Sequence, residues 1–230
     1  QTGAFAIVNP GEGTLGRTSY FFDGSSAPTP KASRTNSSFE LTARQRFSRN
    51  CQFLASYVFS NLEGNHDGIY QNYTNTLDPN FNIAFDQGDF LVNSQGPLTA
   101  ERKHQFKLDG SYQFQRRLTL GVSTWYFSGL PLNAYGYSPD SINWTYFLVP
   151  RGSLGRGPSD WETSFHLSFP LTVAHARLTV MADAFNVFDR QAITQLDERY
   201  NLSSDGDACA GVPSGICGSN GGIRHRPGSL

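Results

Sequence analysis

The sequence predicts an all-β protein, and within that class part of a transmembrane antiparallel β-barrel. It supplies about six strands, too few to close a barrel that side chains fill, with short periplasmic turns and long extracellular loops. Three observations predict this. Six segments alternate polar and apolar residues with a period of two, which gives a strand one polar and one apolar face. The segments come in pairs closed by tight turns, while the pairs are separated by long connections. The composition is aromatic and weakly charged, with 13% Phe, Tyr and Trp and only 16% Asp, Glu, Lys and Arg. Soluble domains carry roughly 25% charged residues.

Residues 1–36 read as one outer loop. The first strand pair spans 37–62: Phe39, Leu41, Ala43 and Phe47 alternate with Ser38, Glu40, Thr42, Arg44 and Arg46. After Ser48-Arg49-Asn50 come Phe53, Ala55, Tyr57 and Phe59, alternating less cleanly with Gln52, Leu54, Ser56, Val58 and Ser60. The second pair spans 102–129. Phe106, Leu108, Gly110, Tyr112 and Phe114 face one way and Lys103, Gln105, Lys107, Asp109, Ser111 and Gln113 the other. Gln115-Arg116-Arg117 turns the chain into Leu118, Leu120, Val122 and Tyr126, with Trp125 and Phe127 at the end. The third pair spans 161–188. Trp161, Phe165, Leu167 and Phe169 lead through Thr172-Val173-Ala174-His175 to Leu178, Val180, Ala182 and Ala184. Strands of about ten residues suit a tilted bilayer crossing.

The connections at 63–101, 130–160 and 189–230 are too long for the structureless loops of a compact soluble domain. Short turns at one end and long loops at the other are the habit of outer-membrane barrels. Aromatics agree. Tyr57, Phe59, Tyr126, Phe127 and Trp161 mark the loop-side ends, and Phe47, Phe53, Phe114 and Phe169 the turn-side ends, as two interfacial girdles. The competing fold is a soluble β-sandwich, whose strands also alternate but whose connections are short at both ends.

Composition excludes other classes. A net charge of -1 is far from that of a general nucleic-acid binder. No apolar run approaches the length of a transmembrane helix. The five histidines are scattered without HExxH, GxSxG is absent, and the Gly-rich pieces near Gly11 and Gly218 lack a P-loop lysine. No enzyme activity and no cofactor are expected. Cys209 and Cys217 lie in a Gly/Ser-rich stretch and form a candidate loop disulfide, while Cys51 reads as a small apolar residue near a turn. Sequons at Asn36, Asn72, Asn143 and Asn201 are expected by chance in an Asn/Ser/Thr-rich chain.

Two regions could meet a ligand. The loop from Asn65 to Gln95 mixes Tyr70, Tyr73, Phe81, Phe85 and Phe90 with Asp67, Asp78, Asp86 and Asp89, suiting capture of a glycan, peptide or chelate. The competing reading is a loop folded on itself, its aromatics forming a small local core. Its carboxylates match no EF-hand spacing, and no metal site is expected. The polar strand faces carry Glu40, Arg44, Arg46, Lys103, Lys107, Asp109, Glu162, Arg177 and Asp183 toward the lumen, where most read as solvated cross-strand pairs.

Several segments resemble a known family. Asp183-Ala184-Phe185-Asn186-Val187-Phe188-Asp189-Arg190 resembles the Asn-Leu-Phe-Asp strand motif of TonB-dependent outer-membrane receptors. Phe147-Leu-Val-Pro-Arg-Gly-Ser-Leu-Gly-Arg156 resembles a loop of their Oar-like subgroup. Asn9-Pro-Gly-Glu-Gly13, Pro30-Lys31-Ala32 and the Phe53–Tyr57 strand running into Leu62-Glu63-Gly64-Asn65 are similar to the same subgroup. The resemblance implies a barrel of about 22 strands around a plug, driven by the TonB system. Plug, energy-coupling box and carboxypeptidase-like domain are not in this sequence. Residues 1–230 are therefore expected to be a C-terminal barrel portion, cut just before the last strand. The expected role is outer-membrane transport of an unidentified extracellular ligand in a Gram-negative bacterium. Its expected partners are outer-membrane lipid and, through the absent plug, the TonB system. The alternative is a surface or secreted β-sandwich adhesin or glycan-binding module; an outer-membrane hydrolase ranks third.

Overall fold

The computed structural model describes residues 8–193 apart from 22, 69–83, 116 and 138–143, together with Leu196 and Glu198. The described chain is all-β save for a single 3-10 turn at Gly88–Leu91. A small hairpin pairs β1 (Thr18–Tyr20) with β2 (Ser26–Pro28). The long strands are β3 (Arg34–Ser48), β4 (Cys51–Gly64), β6 (His104–Phe114), β7 (Leu118–Phe127), β10 (Asp160–Val173) and β11 (Ala176–Ala184). They lie side by side in the order β11-β10-β7-β6-β4-β3, antiparallel throughout, and the short β5 (Gly96–Pro97) adds to β4. A second hairpin pairs β8 (Tyr135–Tyr137) with β9 (Trp144–Phe147).

The tight turns follow local chemistry. Arg49 and Asn50 both have positive φ, 50° and 66°, which matches the right-handed twist of the flanking strands. Gln115 (44°) and Ala174 (54°) start the other two turns in the same left-handed region. A bulge between Gln45 and Ser48 bends the end of β3.

Register confirms the two-faced reading. On one face Leu41 stands opposite Tyr57, Tyr57 opposite Phe106, and Phe106 opposite Tyr126, which meets Trp161. Nearer the tight turns the same face carries Leu120 beside Leu167 and Leu167 beside Ala182. On the other face Thr42, Ser56, Lys107, Trp125 and Glu162 form one row. Two expectations change. Phe127 does not belong to the apolar girdle, because it pairs with Gln105 and Asp160 on the polar face. Lys103 precedes β6, and its Nζ lies 5.9 Å from the ring of Phe59, so it joins the apolar face.

Both faces of the sheet are open. Every residue of β3 and β11 is exposed, including Phe39, Leu41, Leu178 and Val180. The buried apolar side chains lie instead at the loop end: Phe90, Leu98, Ala134, Tyr135 and Phe147. The described parts of the loop end are thus not structureless. The segment before β3 holds the first small hairpin, and the two connections at 63–101 and 130–160 hold the second hairpin, β5, the 3-10 turn and a bridge between Pro131 and Arg156. Gly129 makes that crossing fit, since a Cβ there would lie 1.7 Å from the carbonyl oxygen of Gly157.

Strand ends also move. β3 starts at Arg34 and β4 runs to Gly64, while β11 stops at Ala184 rather than continuing to 188. Asn186 explains the stop. Its φ is 46°, its Oδ1 accepts the Arg190 N–H at 2.9 Å, and its Nδ2 donates to the Arg190 carbonyl at 3.1 Å. The Val187 N–H still reaches the Thr163 carbonyl at 3.0 Å, and Phe188 packs on Trp161 with ring centroids 5.8 Å apart. The segment that resembles a strand motif is therefore a side-chain-closed turn capping a strand.

Candidate functional site

Two surfaces could act on another molecule: the packed loop end and the polar face of the sheet. At the loop end, segments far apart in sequence converge on buried charge. The Arg151 side chain is 1% exposed and ion-pairs with Asp67. Its Nε donates to the Pro97 carbonyl at 3.1 Å and its Nη1 to the Ser94 carbonyl at 3.3 Å, while the guanidinium carbon sits 4.9 Å from the Phe147 ring centroid. Asp67 also accepts the N–H and hydroxyl of Thr99 at 3.1 and 2.9 Å. Beside it, Arg156 pairs with the buried Glu101 and donates to the Gly129 carbonyl at 3.1 Å. Glu101 takes the Leu62 N–H at 3.3 Å. Asn133 accepts the Gly152 N–H at 2.8 Å, and its own N–H donates to Glu198 at 2.8 Å. Buried charges persist when paired and hydrogen-bonded, and these are.

His66 lies next to this network. Its Nδ1 accepts the Gly68 N–H at 3.2 Å and its ring meets Phe85 edge-on at 6.0 Å. Burial pushes its pKa below the ordinary histidine value; the carboxylate of Asp67 opposes the shift, and the cations Arg34 and Arg151 reinforce it.

The sequence-expected ligand contacts divide. Tyr70, Tyr73 and Phe81 lie outside the described residues, as do Cys209 and Cys217. Phe90 is 2% exposed, so its ring serves the packing of the loop and presents no open platform. Phe85 and Asp89 are half-buried near the surface. Asp86 stands on the exposed side of the same loop, where the surrounding loop mass desolvates its carboxyl and raises its pKa. Among the described residues no group of three or more His, Cys, Asp and Glu is placed to hold a metal ion. Arg151, Glu101, Asn133 and Arg156 were not anticipated. Opposite charges in different long loops were visible in the sequence, but their pairing depends on where the strands bring the loops together.

The polar face forms an open groove of about 720 Å³, to which all six long strands contribute. Arg44, Gln52, Asp109, Ser123, His166 and Asp183 line it. Cross-strand hydrogen bonds order this wall: Ser123 to Asp109 at 2.6 Å, Gln52 to Ser111 at 3.0 Å, and His166 with Asp183 at 2.6 Å. A groove crossing six consecutive strands means the sheet is concave on its polar face.

The chain is similar to the TonB-dependent transporter Oar of Myxococcus xanthus, with 29% identity over 224 residues. The match covers 92% of this chain, and the chain spans 19% of the length of that curated relative. No family model and no solved structure matches. The resemblance to Oar-like TonB-dependent receptors, carried in the sequence by short segments, thus extends along nearly the whole chain.

Proposed function

We propose that the chain is a stretch of membrane-spanning wall, with its outer loops, from a TonB-dependent transporter in the Gram-negative outer membrane. One observation carries the reading. A curved antiparallel sheet leaves an apolar face uncovered, and that face bears aromatics toward both ends of the strands and small or aliphatic residues between. Water would not tolerate such a surface, whereas lipid matches it. The asymmetry of tight turns and packed loops supports the same orientation, with the loops outside. The similarity to a transporter supports the transport role and the dependence on TonB, which would act through a plug outside this chain.

In this reading the loop end meets the ligand. Phe85, Asp86 and Asp89, with Tyr70, Tyr73 and Phe81 of the same loop, are the proposed contacts, held in place by the Arg151 and Arg156 ion pairs. A surface β-sandwich would cover one sheet face with a second sheet. Among the described residues the other sheets are two two-stranded hairpins.

Cell fractionation tests the proposal. The protein expressed from its own gene in a Gram-negative host is expected in the outer membrane and extractable only with detergent. Recovery in the soluble fraction without detergent overturns the reading and favours the adhesin.

A further inference from the structure

The register sets two consecutive rows of side chains on the polar face near its loop end. In the first, Lys107 stands opposite Trp125, and Trp125 opposite Glu162. In the second, Gln105 stands opposite Phe127, and Phe127 opposite Asp160. The two rings lie 5.0 Å apart at 31°. Lys107 Nζ is 5.7 Å from the Phe127 centroid, and the guanidinium carbon of Arg102 is 5.8 Å from it. Arg102 is anchored by donating to the Ser128 carbonyl at 2.8 Å. Among the described residues none of these cations or carboxylates is in an ion pair.

In the membrane-wall reading this aromatic pair is turned away from lipid, and its rings suit a ligand with an apolar surface of its own.

We propose that Trp125 and Phe127 form a saccharide-binding subsite on the inner wall, taking a neutral hexose unit. A pyranose ring offers a C–H face that stacks on an indole and a rim of hydroxyls that both donate and accept. The rows flanking the rings supply both kinds of partner: Lys107 and Gln105 donate, and Glu162, Asp160 and the Gln105 carbonyl accept. The formal charges of Arg102, Lys107, Asp160 and Glu162 cancel, so the patch has no net pull on an ion. The cations also rest against the Phe127 ring, which satisfies part of their charge. This inference rests on the membrane-wall reading, which makes the polar face the wet one.

The test is calorimetric titration of the purified protein, folded in detergent micelles, with maltohexaose, cellohexaose and laminarihexaose. Hexagalacturonate and a neutral hexapeptide serve as comparators. At least one neutral oligosaccharide is expected to bind. Trp125→Ala is expected to weaken it about tenfold, the loss of one stacking contact, and Lys107→Gln by less. Tyr126→Ala, on the opposite face, is expected to leave binding unchanged. Trp125→Phe, which keeps an aromatic in the strand, covers the case in which the alanine variant does not fold, and it too should weaken binding. No binding of any neutral oligosaccharide, tighter binding of either comparator, or indifference to both Trp125 variants overturns the subsite. A protein found in the outer membrane that binds no saccharide defeats this inference and leaves the membrane reading standing.

Discussion

Arg151 ties several segments of the loop end together, because its guanidinium meets a carboxylate, two carbonyls and an aromatic ring at once. Arg151→Ala would strand Asp67 as a buried charge without its cation, at a cost of about 3–5 kcal/mol. The expected readout is a lower denaturant midpoint and early proteolysis in the loops; combining it with Asp67→Leu should recover part of the loss. His66 contributes to the pH response of the same region. Its folded pKa lies below the unfolded value of roughly 6.5, so the unfolded loop binds more protons. The stability it contributes is complete above that unfolded value and is lost as pH falls toward the folded one. Protonation would also end the acceptance of the Gly68 N–H. Loop proteolysis is therefore expected to quicken on acidification from about pH 7 to about pH 5, and His66→Gln should flatten that dependence.

At the scale of elements, the two faces make opposite demands on neighbouring residues. Leu167 belongs to the apolar face, between Leu120 and Ala182; Ser168, the next residue, faces the groove between Thr119 and Met181. Leu167→Arg should cost about 2–4 kcal/mol when the protein folds into lipid vesicles, and Ser168→Arg far less. Similar costs for both would mean the apolar face does not meet lipid. The strands were legible in the sequence because one apolar and one polar face write a period of two along β6 and β10. Their ends were less so. β11 looks continuous through Phe188 until Asn186 adopts a left-handed φ and its amide closes on Arg190. Trp125 and Phe127 were seen as aromatics at a strand end, but only register against β6 and β10 assigns them to the polar face.

For the whole molecule, adjacency of the strand pairs followed from the tight turns, whereas the loop architecture did not. No local pattern joins Asp67 to Arg151 or Glu101 to Arg156; those meetings exist because the sheet brings strand ends separated by dozens of residues to one rim. The same dependence kept the core hidden, since Leu98 and Tyr135 are buried at the loop end and not along the long strands. The described sheet also ends in β3 and β11, and in the proposed membrane setting their outer backbone edges would have to be paired. The packed rim has an immunological consequence if, as proposed, the loops face outward. Antibodies raised against any single loop peptide should then recognise the intact cell surface poorly, because the native epitope is a mosaic of segments fastened by Arg151 and Arg156. Antibodies raised against the folded protein should lose their target once those fastenings are cut.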